Sequence, residues 1–344
     1  METKIYSLDD IDEAAAALKA GQLVAFPTET VYGLGADATN VEAVSHVYAA
    51  KGRPSDNPLI VTIADVATLT RFAQPLSDKV KTLIDTFWPG SLTIILPLKP
   101  NALSKTVTGG LDTAAFRMPA NNATLKLIRT AGVPIVGPSA NTSGKPSPTL
   151  AEHVYHDLKG KIAGILDDGP TDVGVESTII DMSTEIPTIL RPGAVTEDQL
   201  ADVIGEVRGN KHKVGANETP KAPGMKYKHY APTAQVTIVD DPTDFAAAVA
   251  WVSSHNSKAG LMATDSVLSQ LTVPDSVEAF TLGPDVAAAS HRLFAGLRHF
   301  DLETDVTAIL TQGFSTDGLG AAYMNRLNKS AGDEHFTNDK SIDK

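Results

Sequence analysis

Two rhythms of apolar positions alternate along the first two hundred residues of the chain. Helical spacing marks 10–20, with polar Ser7 ahead of it and Gly21 behind, and 41–50, where Asn40 is placed to cap. It returns over 78–87 and near 123–131, 150–158 and 196–204. Between these stretches lie short apolar or β-branched runs of strand type. They fall at 23–26, closed by Pro27, and at 59–63, 92–96, 114–117, 134–137, 162–166, 178–181 and 188–190. Interleaved strands and helices predict an α/β layer fold. Some neighbouring strands have connections too short for a βαβ crossover, so the sheet is predicted to be mixed.

From 208 to 232 the rhythm breaks. A solvated tether would favour Gly, Ser and acidic residues. Here two tyrosines, a methionine and histidines stand among lysines, which predicts an ordered loop docked on something. Beyond it, strands at 235–239, 259–263, 279–282 and 308–311 alternate with helices at 245–254, 286–299 and 321–330, the pattern of a small doubly wound domain. The expected organisation is a first domain over 1–208, a basic linker over 209–233, a second domain over 234–331 and a polar, flexible tail over 332–344.

Length agrees, since 344 residues exceed one ordinary core. The absence of cysteine excludes a disulfide scaffold, a thiolate nucleophile and a Cys-built zinc site. The acidic N-terminus lacks the apolar core of a signal peptide, and no apolar run reaches membrane length, so a cytoplasmic protein without membrane association is expected. A net charge of −12 argues against a broadly cationic nucleic-acid binder. The charge is uneven, however. Residues 1–208 and 234–344 each carry −8, whereas 209–233 carry Lys211, Lys213, Lys221, Lys226 and Lys228 against one Glu, or +4.

Three motifs mislead. Gly33 to Ala38 fits a loose G-x-G-x-x-A pattern, but no acidic residue follows a second strand at the required distance. Gly137 to Lys145 imitates a phosphate loop with the wrong spacing, and Pro146 stands where a Ser or Thr would hold magnesium. His153 and His156 lack a third ligand and read as solvated surface histidines, so no metal ligand set is expected.

Five segments combine residue types that packing alone does not require. They are 27–35 with Thr28, Glu29 and Thr30; Lys51-Gly52-Arg53-Pro54-Ser55-Asp56-Asn57-Pro58-Leu59; Ala114 to Pro119 around Arg117; Gly137-Pro138-Ser139-Ala140-Asn141-Thr142-Ser143-Gly144; and Glu176-Ser177-Thr178 with Leu190-Arg191-Pro192-Gly193. Singly, each has a structural reading: Lys51 and Arg53 complement a helix C-terminus, Ser139 and Asn141 form turns, and Arg191 pairs with a carboxylate. Together the cations fall at strand ends beside Gly/Pro turns, where α/β sheets bind ligands. Guanidinium forks suit phosphate and carboxylate, and Ser and Asn supply neutral donors, which points to a substrate rich in both anions.

On these motifs, with Ala-Pro-Gly-Met-Lys-Tyr-Lys-His-Tyr-Ala-Pro at 222–232 and Gly-Leu-Gly-Ala-Ala-Tyr-Met-Asn-Arg-Leu-Asn-Lys at 318–329, the chain resembles the YrdC-like threonylcarbamoyl-AMP synthase family in its long form. The resemblance implies a YrdC-like twisted mixed-sheet domain with a central cavity and a smaller Rossmann-like C-terminal domain. It implies a nucleotidyltransferase making L-threonylcarbamoyl-AMP and pyrophosphate from L-threonine, bicarbonate (or CO2) and ATP, with Mg2+ brought by ATP. The adenylate would pass to the machinery that modifies an adenosine beside the tRNA anticodon; direct tRNA contact stays open. Lys51 and Arg53 are implied as catalytic. With Ser139 and Asn141 they surround the nucleotide phosphates, and Asn57, the Ala115 backbone, Thr149, Arg191 and Tyr230 complete the ATP site. Thr30, Thr62, Arg117 and Ser177 match threonine-binding positions, with Thr62 standing where many relatives carry His. Arg117 would grip the threonine carboxylate. Glu29 is a candidate base without a demonstrated role. Lys226, Lys228 and Tyr230 are expected to close over ATP as a lid. Competing readings are a non-catalytic RNA binder, which the net charge opposes, and a carbamoyl transferase acting on another acceptor.

Overall fold

The computed structural model describes residues 2–209, 220–222, 229–255, 258–302 and 305–337. The chain divides into two compact units, one of Met1–Ser143 with Ser147–Tyr227, the other of Gly144–Pro146 with Lys228–Lys344.

The first unit runs β1 (Lys4–Tyr6), α1 (Ile11–Lys19), β2 (Val24–Phe26), β3 (Gly33–Asp37), α2 (Val41–Lys51), β4 (Ile60–Thr62), α3 (Val66–Phe72), α4 (Asp78–Phe87), β5 (Leu92–Pro97), α5 (Lys105–Thr108), β6 (Thr113–Arg117), α6 (Asn122–Ala131), β7 (Ile135–Val136), α7 (Ala151–Leu158), β8 (Gly164–Leu166), β9 (Thr178–Asp181), β10 (Thr188–Arg191), α8 (Glu197–Ile204) and β11 (Arg208–Gly209). Its strands form one mixed sheet in the order β1-β8-β2-β3-β7-β4-β6-β5-β9-β10-β11.

The period of two along each strand assigns the two faces. Val61, Ile94, Phe116, Val136 and Ile180 point to one side, where Val44 and Val47 of α2, Leu83 and Ile84 of α4, Val154 of α7 and Leu200 of α8 pack on them. Helix α4 shows why it forms there. Val80, Leu83, Ile84 and Phe87 recur on one stripe, and the Ser77 hydroxyl accepts from the Val80 amide to cap its start. Each fully buried aliphatic side chain of this layer contributes about 1.5–3 kcal/mol.

The opposite face is only half covered by helices. Ile11, Ala15 and Leu18 of α1 and Leu127, Ile128 and Ala131 of α6 close over Val24, Phe26, Ile135 and Leu166. On the neighbouring strands the same face presents Ile60, Ile95, Ala115 and Ile179, which among the described residues cluster with Ala222 and have Leu190 packed against them.

The Gly33–Asp37 run is strand β3, paired antiparallel to β2, which removes the dinucleotide-loop reading physically. Its glycines leave room for an aromatic ring, since a Cβ at Gly33 would fall 2.5 Å from Phe26 Cζ.

The second unit runs β12 (Gln235–Val239), α9 (Phe245–His255), β13 (Ala259–Ala263), α10 (Asp265–Leu268), β14 (Val277–Thr281), α11 (Val286–Leu302), β15 (Ala308–Gln312) and α12 (Leu319–Ala331). All four strands are parallel, in the order β12-β15-β13-β14. The expected flexible tail is corrected in its first part. Ile238 of β12 donates its amide to Glu334 O and accepts from Phe336 N, and Phe336 is buried among Phe245, Val249 and Leu310, because this apolar ring needs cover. Residues 338–344 of that tail lie outside the described residues. The tripeptide Gly144–Pro146 belongs to this unit through Lys145 Nζ, 2.8 Å from Asp301 Oδ1, and Arg298 Nη2, which donates to Pro146 O. Lys145 is therefore an ion-pair partner, which accounts for the failure of the phosphate-loop pattern.

Candidate active site

Helix α2 delivers the first cation. Asn40 accepts from the Glu42 and Ala43 amides at its start, and Gly52, in the left-handed region at φ 62°, ends it. Lys51, the last helical residue, is thereby turned inwards and is 2% exposed. Its ammonium donates to the carbonyls of Ser139 (2.5 Å) and Asn141 (2.6 Å), while its own carbonyl accepts from Ser143 N (2.8 Å). Lys51 thus fixes the whole Ser139–Ser143 turn. Arg53 is buried beside it, with Nη2 donating to Pro58 O at 3.2 Å. The Tyr48 hydroxyl holds the same loop by donating to Asn57 O at 3.0 Å; burial pushes this phenol up to about 12, so it remains a donor at neutral pH. Asn57 Oδ1 and Thr149 Oγ1 are buried and have no hydrogen-bond partner among the described residues. Such atoms are costly unless a ligand supplies the missing donor.

His153 departs from expectation. It is 4% exposed and its Nδ1 accepts from the Thr149 amide at 3.3 Å. Leu150 cannot cap α7 with a side chain, and His153 takes an amide at that helix start instead. His156 is on the surface against Asp157, as expected.

The second part of the site is built on the sheet face that carries Ile60 and Ala115. The β4–β6 register places Thr62 opposite Arg117. Both line a small pocket with Thr28, Ser139, Phe26 and Ile60. Arg117 is held on three sides: Nε donates to Gly90 O at 3.2 Å, Nη1 to Thr30 Oγ1 at 2.8 Å and Nη2 to Glu29 Oε1 at 2.5 Å. Glu29 accepts further from Ser91 Oγ at 2.9 Å and from the Ala120 amide at 3.0 Å. Burial alone would raise its pKa, but the Arg117 charge and the donated hydrogen bonds outweigh that and hold the carboxyl below its ordinary value. A carboxylate so engaged is a weak base, and its geometry is that of a positioning group for Arg117. Thr30 serves the same purpose, its hydroxyl lying between Arg117 and Thr28 Oγ1. The Thr62 hydroxyl makes no hydrogen bond among the described residues and lines the pocket. Gly137 makes room for it, since a Cβ there would fall 2.6 Å from Thr62 Oγ1.

Ser177 and Arg191 form the third part. Arg191 Nε and Nη2 both donate to Ser177 O, at 3.1 and 2.9 Å, and the Ser177 hydroxyl lies 2.7 Å from that of Thr93. Gly193 permits the close approach, because a Cβ would fall 2.2 Å from Thr178 N. Ser147 Oγ donates to the buried Glu176 at 2.6 Å.

The basic segment contributes where it is described. Lys221 Nζ lies 3.0 Å from Asp181 Oδ2, and Ala222 is fully buried against Ala115, Ile60, Ile95 and Ile179. This part of the segment docks on the first unit's sheet, beside the strand that carries Ala115. Lys226 and Lys228 lie outside the described residues. Tyr230 belongs to the second unit, where it is buried with its ring 5.1 Å from that of Phe294. Sequence reasoning missed the Gly90 and Ser91 contacts, whose only trace was the Trp-Pro-Gly-Ser turn at 88–91, and the seat of Ala222, for which an alanine offers no signal.

Residues 16–193 match the Sua5/YciO/YrdC family model, described as telomere recombination, and residues 195–332 match the model of the threonylcarbamoyl-AMP synthase C-terminal domain. A Bacillus subtilis protein named threonylcarbamoyl-AMP synthase is 47% identical over 343 residues, covering 96% of this chain and 99% of its own. A Pyrococcus abyssi protein of the same name is 46% identical, covering 93% of each. The crystal structure of P. abyssi Sua5 complexed with L-threonine superposes with a TM-score of 0.90 at 43% identity, over 97% of this chain and 99% of that one. With both domain models matched in order and near-complete coverage by relatives, the chain belongs to the threonylcarbamoyl-AMP synthase family of enzymes, in its two-domain form.

Proposed function

We propose that this chain condenses L-threonine, bicarbonate (or CO2) and ATP, taken as its magnesium complex, into L-threonylcarbamoyl-AMP and pyrophosphate, and that the adenylate is consumed by threonylcarbamoyl transfer to tRNA. The observation that carries this reading is the double duty of Ser139. It lines the pocket of Arg117 and Thr62, and its carbonyl receives the Lys51 ammonium. The pocket lined by Arg117 and Thr62 and the turn held by Lys51 are thus joined at one residue. The threonine complex of the P. abyssi relative supports the amino acid as the pocket's occupant.

In this reading Arg117, pre-oriented by Glu29, Thr30 and Gly90 O, grips the threonine carboxylate, and Thr62 offers its hydroxyl to the same molecule. The neutral amine adds to CO2 and releases a proton to solvent, giving a carbamate. A carbamate oxygen attacks the α-phosphorus of ATP, the bond to the β-phosphate oxygen breaks, and pyrophosphate leaves. Negative charge grows on the α-phosphate and the leaving group, and Lys51 and Arg53, anchored in place before the substrate arrives, stabilise it. Asn57, Thr149, Ser139 and Asn141 provide neutral polar groups for the nucleotide, and Ala115 its backbone. Arg191 and Ser177 border the same sheet face. No covalent enzyme intermediate is required. Pyrophosphate release measured with threonine and bicarbonate omitted in turn tests the reading: dependence on both is expected, and turnover without either would overturn it.

A further inference from the structure

The second unit has a pocket of its own, of about 290 Å3, at the carboxyl ends of its parallel strands. Its walls come from Thr243 in the turn ahead of α9 and Ala246 in the first turn of that helix, from α10 and the residues after it (Ser266, Gln270, Leu271), and from Gln312 at the end of β15. β15 lies between β12 and β13, so the loops leaving three adjacent parallel strands converge there. That is where open α/β sheets bind ligands, and the volume falls at the small end of ligand pockets.

Gln312 provides the chemistry. It is 6% exposed, and its Oε1 accepts from the Thr264 amide at 2.8 Å and the Thr264 hydroxyl at 2.9 Å. Two donors on one oxygen settle which end of the amide is which, so Nε2 is the remaining end, and it makes no hydrogen bond among the described residues. Because Thr264 donates to Gln312, the Ser266 hydroxyl, 3.1 Å away, is the donor in that pair and keeps its lone pairs. Thr243 likewise donates its hydroxyl to Asp241 at 2.7 Å and keeps acceptor capacity. The pocket therefore offers one fixed donor flanked by acceptors. It has no Lys or Arg in its lining, and exposed Asp241 and Asp265 adjoin it.

We propose that this pocket binds an uncharged nucleobase or nucleoside. Such a base carries an acceptor and an N–H donor side by side on one edge, matching Gln312 Nε2 and the Ser266 and Thr243 oxygens, and Leu271 and Ala246 offer apolar surface to its ring. The acidic surroundings and missing cations exclude a phosphate-anchored mode, so the site is distinct in chemistry from the Lys51 and Arg53 site of the first unit.

Methyl NMR of the full chain tests this with adenosine, uridine and inorganic phosphate as probes, read at Val267 and Leu271. Either nucleoside is expected to shift these methyls in a saturable manner, and phosphate is not. Gln312→Glu keeps the acceptor for Thr264 but removes the donor, and should weaken the response at least about tenfold, the loss of one good hydrogen bond. Ala246→Trp, at an exposed position, fills the pocket without touching the core and should abolish the response with the melting temperature unchanged. No saturable shift with either nucleoside at millimolar concentration, or a shift that survives Ala246→Trp, would overturn the proposal.

Discussion

Replacing Glu29 by Gln separates the two roles this residue can hold. In the native site one carboxylate oxygen receives Arg117 and Ser91, and the other receives the Ala120 amide. A glutamine keeps an oxygen for the first pair only by turning its own N–H groups towards the Ala120 amide, donor against donor. The variant therefore loses one hydrogen bond and leaves the Arg117 guanidinium, 9% exposed, without its counter-charge. Removing one partner of a buried pair costs about 3–5 kcal/mol. For a unit of this size that is a fall in Tm on the order of 10 °C. Because the folded carboxyl lies below its ordinary value of 4.5, its contribution is fully present above that pH and is lost as pH falls through the depressed folded value. The stability gap between wild type and Glu29→Gln should thus be constant near neutrality and close in acid. In pyrophosphate-release kinetics the variant should raise the KM for threonine at least about tenfold, since the fork that the proposed function assigns to the carboxylate has lost its orientation, with kcat changed far less. Unchanged stability and threonine KM together with a collapsed kcat would refute the positioning role and make Glu29 the base.

Four further outcomes follow from the geometry. Lys51→Ala removes both the cation and the tie to the Ser139 and Asn141 carbonyls, and should cost a hundredfold or more in kcat, roughly the loss of one preorganised stabilising donor; near-native pyrophosphate release would contradict it. Thr62→Val preserves shape but removes the hydroxyl, so threonine binding by calorimetry should weaken about tenfold while ATP binding holds. Gly137→Ala forces a methyl into Thr62 Oγ1 and Phe26, and should raise the threonine KM more than Thr62→Val does. Ala222→Asp places a charge against Ile60, Ile95, Ala115 and Ile179; the segment should leave the sheet, seen as new proteolytic cleavage near 220, with the ATP KM raised and the Tm of the unit little changed.

Much of the architecture was legible because apolar periodicity and packing agree. The helix at 78–87 and the strands at 178–181, 235–239 and 259–263 have the bounds their patterns predict. The strand expected at 279–282 begins two residues earlier, at Val277, since Glu278 and Ala279 continue a parallel ladder with Gly260 and Leu261 that propensity does not show. Strand β3 was hidden by its glycines, which suit a strand only because Phe26 fills the space across from them. Helix α3 and strand β1 were too short for periodicity to register. In the site, the Lys51 segment and the Ser139–Asn141 turn whose carbonyls receive its ammonium were each legible as motifs. What joins distant segments was not: Glu29 to Ala120, Thr93 to Ser177 and Lys221 to Asp181 are products of strand order, and no local pattern encodes strand order.

The tripeptide Gly144–Pro146 carries a consequence for how the molecule is made. It directly follows the turn that Lys51 fixes, yet its ion pair and hydrogen-bond partners, Asp301 and Arg298, are encoded some 150 residues later. During synthesis on the ribosome the first unit's strands can all pair before those partners emerge. The stretch between Ser143 and Ser147 must wait. A nascent chain therefore holds Lys145 without Asp301 until translation is nearly complete, and residues 144–146 take their places long after the turn that precedes them.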